Sequence, residues 1–244
     1  MTRTPASGRL GGKTAVITGG SRGIGYAIAQ AFAAEGCNLV LAARSAANLR
    51  RAVNELSSQV SEIAAIECDV RQEKSVENLF ARVRQGFERI DILVNNAGIS
   101  QAPIEIERLE PRVWREVVDT DLTSLFLCTR AALPLMGSGA IVINNISMSG
   151  YHVFPKFSAY TAAKHGALGF TDALREEVRA RQIRVMALLP GATDTDIWQA
   201  IWPEAPREKM VSPRDVAAAV LNAVLLPPNT TVEEIRINPT QGPL

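Results

Sequence analysis

The run Thr18-Gly19-Gly20-Ser21-Arg22-Gly23-Ile24-Gly25 constrains this chain more than any other stretch, because it joins an apolar segment, Thr14 to Thr18, to an amphipathic one beginning at Gly23. Gly19, Gly23 and Gly25 are spaced for a tight turn, a close approach of backbone to a pyrophosphate, and close packing of helix on strand. The first N–H groups of the following helix then face the anion. Ser21, Arg22 and Ile24 fill the loop and are expected to line the phosphate site with the glycines. A glycine triplet alone is a weak signal. At the first strand-to-helix junction of a βαβ unit it is specific for a dinucleotide.

The rest of the chain repeats that junction. Short runs rich in Val, Ile and Leu alternate with longer amphipathic stretches, the pattern of parallel strands buried on both faces and joined by crossover helices. Strands are expected at Thr14 to Thr18, Asn38 to Ala43, Ile63 to Glu67, Ile92 to Val94, Ala140 to Ile146, Arg184 to Leu189 and Glu233 to Ile237. Helices are expected at Gly23 to Glu35, Ala46 to Gln59, Ser75 to Phe87, Pro111 to Leu135 and Ser158 to Arg181, with another from Ser212-Pro213 to about Leu225. The predicted fold class is α/β: a single Rossmann-like, doubly wound parallel sheet of seven strands with helices on both faces. No linker or internal repeat is visible, so residues 1–244 are expected to form one dinucleotide-binding and catalytic domain with a substrate loop at about 191–211.

Composition removes several function classes. With 47% hydrophobic residues the chain is not a disordered tail, and a net charge of +1 lacks the basic excess of a nucleic-acid binder. Cys37, Cys68 and Cys128 are widely spaced with no CxxC, so neither a disulfide framework nor a metal site is expected. The polar opening from Met1 to Lys13 has no apolar export run, and no stretch nears the ~18 apolar residues of a membrane span. A cytoplasmic enzyme without membrane or nucleic-acid partners is the expectation.

The end of the second strand bears on the cofactor. NAD-preferring folds tend to carry an acid there for the ribose 2′-hydroxyl, whereas this chain reads Leu41-Ala42-Ala43-Arg44-Ser45. Arg44, helped by Arg22, offers a guanidinium to a 2′-phosphate, which predicts NADP(H).

Tyr160 and Lys164 stand four apart at the start of a helix, so both project from one face, and Ser147 lies at the end of the fifth strand. A free tyrosine titrates near 10. An ammonium about 4 Å away interacts by roughly 4 kcal/mol at an effective dielectric of 20, enough to lower that value by up to about 3 units.

At this point the chain resembles the short-chain dehydrogenase/reductase family over nearly its whole length. The matching marks are Thr18 to Gly25, Asp69 in Cys68-Asp69-Val70, Asn95-Asn96-Ala97-Gly98, Ser147, Tyr160 with Lys164, and Pro190-Gly191 with Thr195. The resemblance implies that Tyr160 is the general acid of ketone reduction and the base of the reverse reaction. Ser147 would hold the substrate oxygen, and Lys164 would bind the nicotinamide ribose and lower the Tyr160 pKa. Asp69 would face the adenine, Asn95 with Gly98 would support the adenosine side, and Val70, Asn96 and Ala97 would be among the cofactor-binding residues. Pro190, Gly191 and Thr193 would line the cofactor site, with Thr195 contacting the nicotinamide amide or the phosphates.

One position departs from the family pattern. Similar members carry an asparagine in the middle of the fourth helix as a fourth catalytic residue, and Val118-Asp119-Thr120-Asp121-Leu122 puts Asp121 there. Asp121 either supports a helix irregularity and a water contact through its backbone, or its carboxylate partly neutralises Lys164, disfavours the Tyr160 phenolate and raises the pH optimum.

The substrate wall is expected from Ile99 to Pro103, Met148 to Phe157 and the loop around Trp198 and Trp202, an apolar and partly aromatic set. The family resemblance implies an oxidoreductase moving a hydride between NADP(H) and a small-molecule ketone or secondary alcohol, in a homo-oligomer, tetramer or dimer. The tail Val232 to Thr240 resembles members that oxidise 3-hydroxy acids or related alcohols with NADP and lacks the terminal Asp-Gly-Gly common in acyl-carrier-protein ketoreductases, which tilts the reading away from fatty-acid synthesis; the alternative is an NADP-dependent 3-hydroxy acid dehydrogenase or 3-oxoacyl reductase. Two rivals are a non-catalytic NADP-binding regulator, motivated only by Asp121, and a sugar-nucleotide epimerase or dehydratase, whose differently spaced loop and larger substrate region this chain lacks.

Overall fold

The structure, a computed structural model, describes residues 8–60 and 62–242. The first seven residues of the polar opening stretch, and with them part of the expectation about export, lie outside the described residues, as do Ser61 and residues 243–244. Seven strands form one parallel sheet: β1 (Thr14–Thr18), β2 (Asn38–Ala43), β3 (Ile63–Glu67), β4 (Ile92–Asn95), β5 (Ile141–Asn145), β6 (Arg184–Pro190) and β7 (Glu234–Ile237). Their order is β3-β2-β1-β4-β5-β6-β7, with every pairing parallel. The helices are α1 (Gly23–Ala34), α2 (Ala46–Leu56), α3 (Glu73–Phe87), α4 (Pro111–Val118), α5 (Ser124–Ala132), α6 (Ser158–Val178), α7 (Trp198–Ile201) and α8 (Pro213–Val224). The predicted α/β class and seven-stranded sheet are thus observed.

Successive strand residues face opposite sides of a sheet, and the inner strands here are buried on both, while the edge strands β3 and β7 are largely half-buried. Ala15 and Ile17 pack with Phe32, Leu49 and Val220 of α1, α2 and α8, while Val16 packs with Leu79, Cys128 and Leu174 of α3, α5 and α6. Each large side chain removed from water contributes about 1.5–3 kcal/mol. Local signals set the helix starts. Ser45 Oγ accepts the Asn48 N–H at 3.2 Å to open α2, and Ser212 Oγ accepts the Asp215 N–H at 3.1 Å to open α8 ahead of Pro213.

The expected uninterrupted helix from Pro111 to Leu135 is corrected. A π-helical turn, Asp119–Thr123, separates α4 from α5, and a 3₁₀ turn follows at Leu133–Leu135. Hydroxyls compete for backbone carbonyls there: Thr120 Oγ1 donates to Glu116 O at 2.7 Å and Ser124 Oγ to Thr120 O at 2.5 Å. The loop at 191–211 contains the short α7, a 3₁₀ turn at Arg207–Lys209 and a parallel bridge from Thr193 to Val211.

Behind the strand ends runs a buried polar chain. Asn95 Nδ2 donates to Thr129 Oγ1 at 3.0 Å and Asn144 Oδ1 at 2.9 Å, Asn144 Nδ2 donates to Thr171 Oγ1 at 2.9 Å, and Thr171 donates to Ala167 O at 2.7 Å. It ties β4 and β5 to α5 and α6. Thr171→Val keeps the volume but leaves a buried Asn144 N–H unpaired, so urea denaturation should register a loss of about 1–3 kcal/mol.

Candidate active site

The strand order reverses between β1 and β4, and a crevice opens at their carboxyl ends. It is a cleft of about 1570 Å³. Gly19, Ser21, Arg22, Gly23, Ile24, Arg44, Asp69, Val70, Asn96, Ala97 and Gly98 line it, as do Asp121, Ser147, Tyr160, Lys164, Pro190, Gly191, Thr193 and Thr195. Gly25, expected among the cofactor contacts, lies beneath the loop. A Cβ there would come within 2.3 Å of Asn96 Nδ2 and 2.6 Å of Gly19 O.

Asn96 shapes the glycine loop. Its Nδ2 donates to Thr18 O at 3.0 Å and Gly19 O at 3.2 Å, and its Oδ1 accepts from Asn145 Nδ2 at 2.9 Å. The side chain is consumed by these bonds, which makes Asn96 a support of the loop. Asn95 is likewise removed from the expected adenosine side by the buried chain described above. Gly19 and Gly23 take φ of +64° and +57°, the left-handed region that disfavours a side chain. Among the described residues the backbone N–H groups of Ser21 to Ile24 have no protein acceptor. Four adjacent free donors at a helix start are the chemistry a pyrophosphate requires, so this loop fits a dinucleotide.

At the far end of this half, the exposed Arg44 guanidinium has no hydrogen bond or ion pair among the described residues. Ser45 and Asn48, which the sequence reading passed over, line the cleft beside it. Arg22 reaches Asp196 across the cleft at 3.4 Å, both side chains being exposed. Asp69 is held by Arg71, also overlooked, through contacts of 2.9 Å and 2.7 Å, and Arg71 extends to Glu116 at 3.1 Å. The Arg71 guanidinium keeps the Asp69 carboxyl below the usual range.

The candidate catalytic side chains come from three elements. Tyr160 and Lys164 stand one turn apart on α6, with Lys164 Nζ 5.3 Å from the Tyr160 ring centroid. Ser147 follows β5 with φ +140°, a conformation costing of order 1–3 kcal/mol. Its Oγ accepts the Ser149 N–H at 3.1 Å, leaving its own O–H to donate. Asp121, from the π-helical turn, is fully buried. One carboxylate oxygen lies 2.8 Å from Lys164 Nζ and the other accepts the Ile99 N–H at 2.9 Å. The helix irregularity and the carboxylate contact, framed as alternatives from the sequence, occur together.

These neighbours set the proton affinities. Burial is the largest influence on Lys164 and favours its neutral form, but the Asp121 charge, the Tyr160 phenolate and the contact with Asp121 together outweigh it and raise the ammonium pKa. Burial also raises the Asp121 carboxyl, against the pull of Lys164 and the Ile99 N–H. For Tyr160, burial pushes the phenol up, Lys164 pulls it down, Asp121 pushes it up and a hydrogen bond with Ser147 pulls it down, with a net rise. The expectation that Lys164 brings this phenol toward neutrality is corrected: its pull has the expected sign and is outweighed.

Gln101, read as substrate wall, has a different place. It is buried, and its Oε1 accepts the N–H groups of Ala159 at 3.0 Å and Tyr160 at 3.2 Å, while Nε2 donates to Lys156 O at 3.1 Å. The residue preceding α6, Phe157, has no capping oxygen, so a side chain 58 positions away in sequence caps the helix that bears Tyr160. Tyr151 also leaves the expected wall. Its hydroxyl bonds Glu234, and Arg236 sits 4.1 Å over its ring. In the loop, Thr193 Oγ1 donates to Gly191 O at 3.0 Å and Trp198 Nε1 to Thr193 O at 2.9 Å, while Arg207 donates to Thr195 O at 2.6 Å. Thr195 Cγ2 hangs 3.3 Å from where a Gly23 Cβ would stand.

Residues 13–206 match the family model for short chain dehydrogenases, and the chain belongs to that family of oxidoreductases. It is 36% identical over 220 residues to a 3-oxoacyl-(acyl-carrier-protein) reductase of Synechocystis, covering 86% of this chain and 88% of that protein. It is 34% identical over 191 residues to a 3beta-hydroxysteroid dehydrogenase of Mediterraneibacter gnavus, covering 78% and 69%. Among solved structures, an alcohol dehydrogenase from the archaeon Thermococcus sibiricus complexed with 5-hydroxy-NADP aligns with TM-score 0.86 at 31% identity, covering 93% and 97%.

Gln101→Leu leaves two amides and a carbonyl without their partner. Hydrogen exchange at Ala159 and Tyr160 should accelerate and stability fall by about 1–3 kcal/mol, whereas Gln101→Glu, which keeps the accepting oxygen, should retain slow exchange.

Proposed function

We propose that this chain is an NADP(H)-dependent carbonyl reductase, acting in reverse as a secondary-alcohol dehydrogenase, with Tyr160 as general acid and base. The gathering of Ser147, Tyr160, Lys164 and Asp121 on the wall of the cleft that contains the glycine loop carries this reading. The nicotinamide, when bound, supplies a hydride to the carbonyl carbon or takes one from the alcohol. Tyr160 gives its phenolic proton to the carbonyl oxygen, so one hydride and one proton convert ketone to alcohol. Ser147 donates to the same oxygen and holds it in place. Lys164 binds the ribose hydroxyls and stabilises the phenolate left on Tyr160 until solvent reprotonates it.

NADP is favoured over NAD by the unpaired Arg44, with Ser45 and Asn48 beside it and no acid at the end of β2 to repel a 2′-phosphate. The relative complexed with 5-hydroxy-NADP supports the same choice. The loop at 191–211 completes the substrate side, making the chain one catalytic unit. The exposed Trp114 and Phe126 on α4 and α5 support assembly into a homo-oligomer.

Tyr160→Phe should lower kcat/KM for ketone reduction by about 10²–10⁴, and turnover at the wild-type level would refute the assignment. Asp121→Asn removes a charge that raises the Tyr160 pKa, so the alkaline fall of the reduction rate should move to lower pH; an unmoved profile means the carboxylate does not act on the phenol. Arg44→Ala should weaken NADPH by about 1.5–3 kcal/mol and NADH far less, which calorimetry with the two cofactors measures.

A further inference from the structure

The two halves of the cleft differ in charge. Its cations are Arg22, Arg44, Arg71 and Lys164. The three arginines stand at the glycine loop and at the ends of β2 and β3, where an anionic dinucleotide would lie. Lys164 is 4% exposed and committed to Asp121. Among the described residues no lysine or arginine lines the opposite half, formed by 148–157 and 197–202. Lys156 belongs to the first of those segments but pairs with Glu105 at 2.8 Å and is turned from the cleft. Arg207 is spent beneath the loop on Asp194 and Thr195 O. The charged group facing this half is Asp196, a carboxylate whose one cationic neighbour, Arg22 at 3.4 Å, belongs to the glycine loop.

A carboxylate or phosphate entering here would lose hydration with no lysine or arginine to receive it, only the exposed imidazole of His152, and would meet Asp196. Hydrophobic compounds meet the opposite condition. Met148, Val153, Phe154, Phe157, Ile197 and Trp202 line the wall, and Val153, Phe154 and Trp202 are 72%, 39% and 45% exposed. Apolar surface standing in water gains free energy in proportion to the area a ligand covers. Trp198 is fixed by its bond to Thr193 O, so the wall is partly preformed. At 1570 Å³ the cleft exceeds the roughly 300–1,000 Å³ of a pocket for one small molecule, leaving room for a sizeable body beside a dinucleotide.

We propose that the substrate is a bulky, uncharged ketone or its secondary alcohol, seated against Phe154 and Trp202, and not a keto acid or a phosphorylated carbonyl compound; this rests on the carbonyl-reductase reading above. Ser147 and Tyr160 receive the carbonyl oxygen, and the hydrophobic body covers the exposed wall.

The test is NADPH oxidation by the full chain with 2-decalone, 1-tetralone, ethyl acetoacetate and acetoacetate. The better bicyclic ketone should exceed ethyl acetoacetate in kcat/KM by about tenfold or more, and the ester should exceed the free acid by a similar factor. Trp202→Ala and Phe154→Ala should raise KM for the bicyclic ketone by about tenfold, with a smaller effect on kcat. Acetoacetate reduced as well as its ester, or a bicyclic KM unmoved in both variants, overturns the substrate assignment and leaves the reductase reading standing. Absence of turnover with all four compounds, or turnover undiminished in Tyr160→Phe, overturns both.

Discussion

Asn96 holds together the place where the sheet becomes a site. Its amide spans Thr18 and Gly19 on one side and receives Asn145 on the other, so the carboxyl ends of β1, β4 and β5 are fixed by one side chain. Thr18 Oγ1 accepts the N–H groups of Asn96 and Ala97 at 3.0 Å and 3.1 Å, closing the same junction from below. Gly25 must lack a Cβ because this amide occupies the space, which explains a glycine that never meets the cleft. A parallel sheet splits its connections at such a reversal, and the Asn96 bonds bridge the crevice left there. The start of the glycine loop takes its position from it.

The second constraint is electrostatic. A lysine removed from water carries a large desolvation cost, and Asp121 offsets it at 2.8 Å. The pair then fixes more than its own charge. Asp121 also binds the Ile99 N–H, so the segment after β4 is tied to α6 through an ion pair and again through the Gln101 cap. Tyr160 is held at its backbone by Gln101 and tuned at its phenol by Lys164, Asp121 and Ser147. Position and proton affinity of one side chain are thus set by different residues.

Charge is also partitioned along the cleft. Arginines gather at the end that suits phosphates, while the other end has exposed aromatic and aliphatic surface and one carboxylate. A net charge of +1 conceals this entirely, since a sum over the chain averages two environments that a bound pair of molecules would meet separately.

The sequence alone determined the class of sheet, the strand positions to within a residue or so, the dinucleotide loop and the Tyr160–Lys164 pair. Those features are local, written in hydrophobic period, glycine spacing and separations of a single helical turn, and the positions of Ser147 and Asp121 came from family resemblance. Other features depended on residues far apart in the chain. Gln101 beneath α6, Arg71 on Asp69, Tyr151 drawn to Glu234 and the break at Asp119–Thr123 arise from contacts or hydroxyl competition that periodicity does not record. The sign of the net shift at Tyr160 belongs with them. Sequence spacing brings Lys164 near the phenol, but only the tertiary structure buries the lysine, half-buries the phenol at the cleft wall and sets Asp121 against the lysine, and burial together with that carboxylate decides the balance.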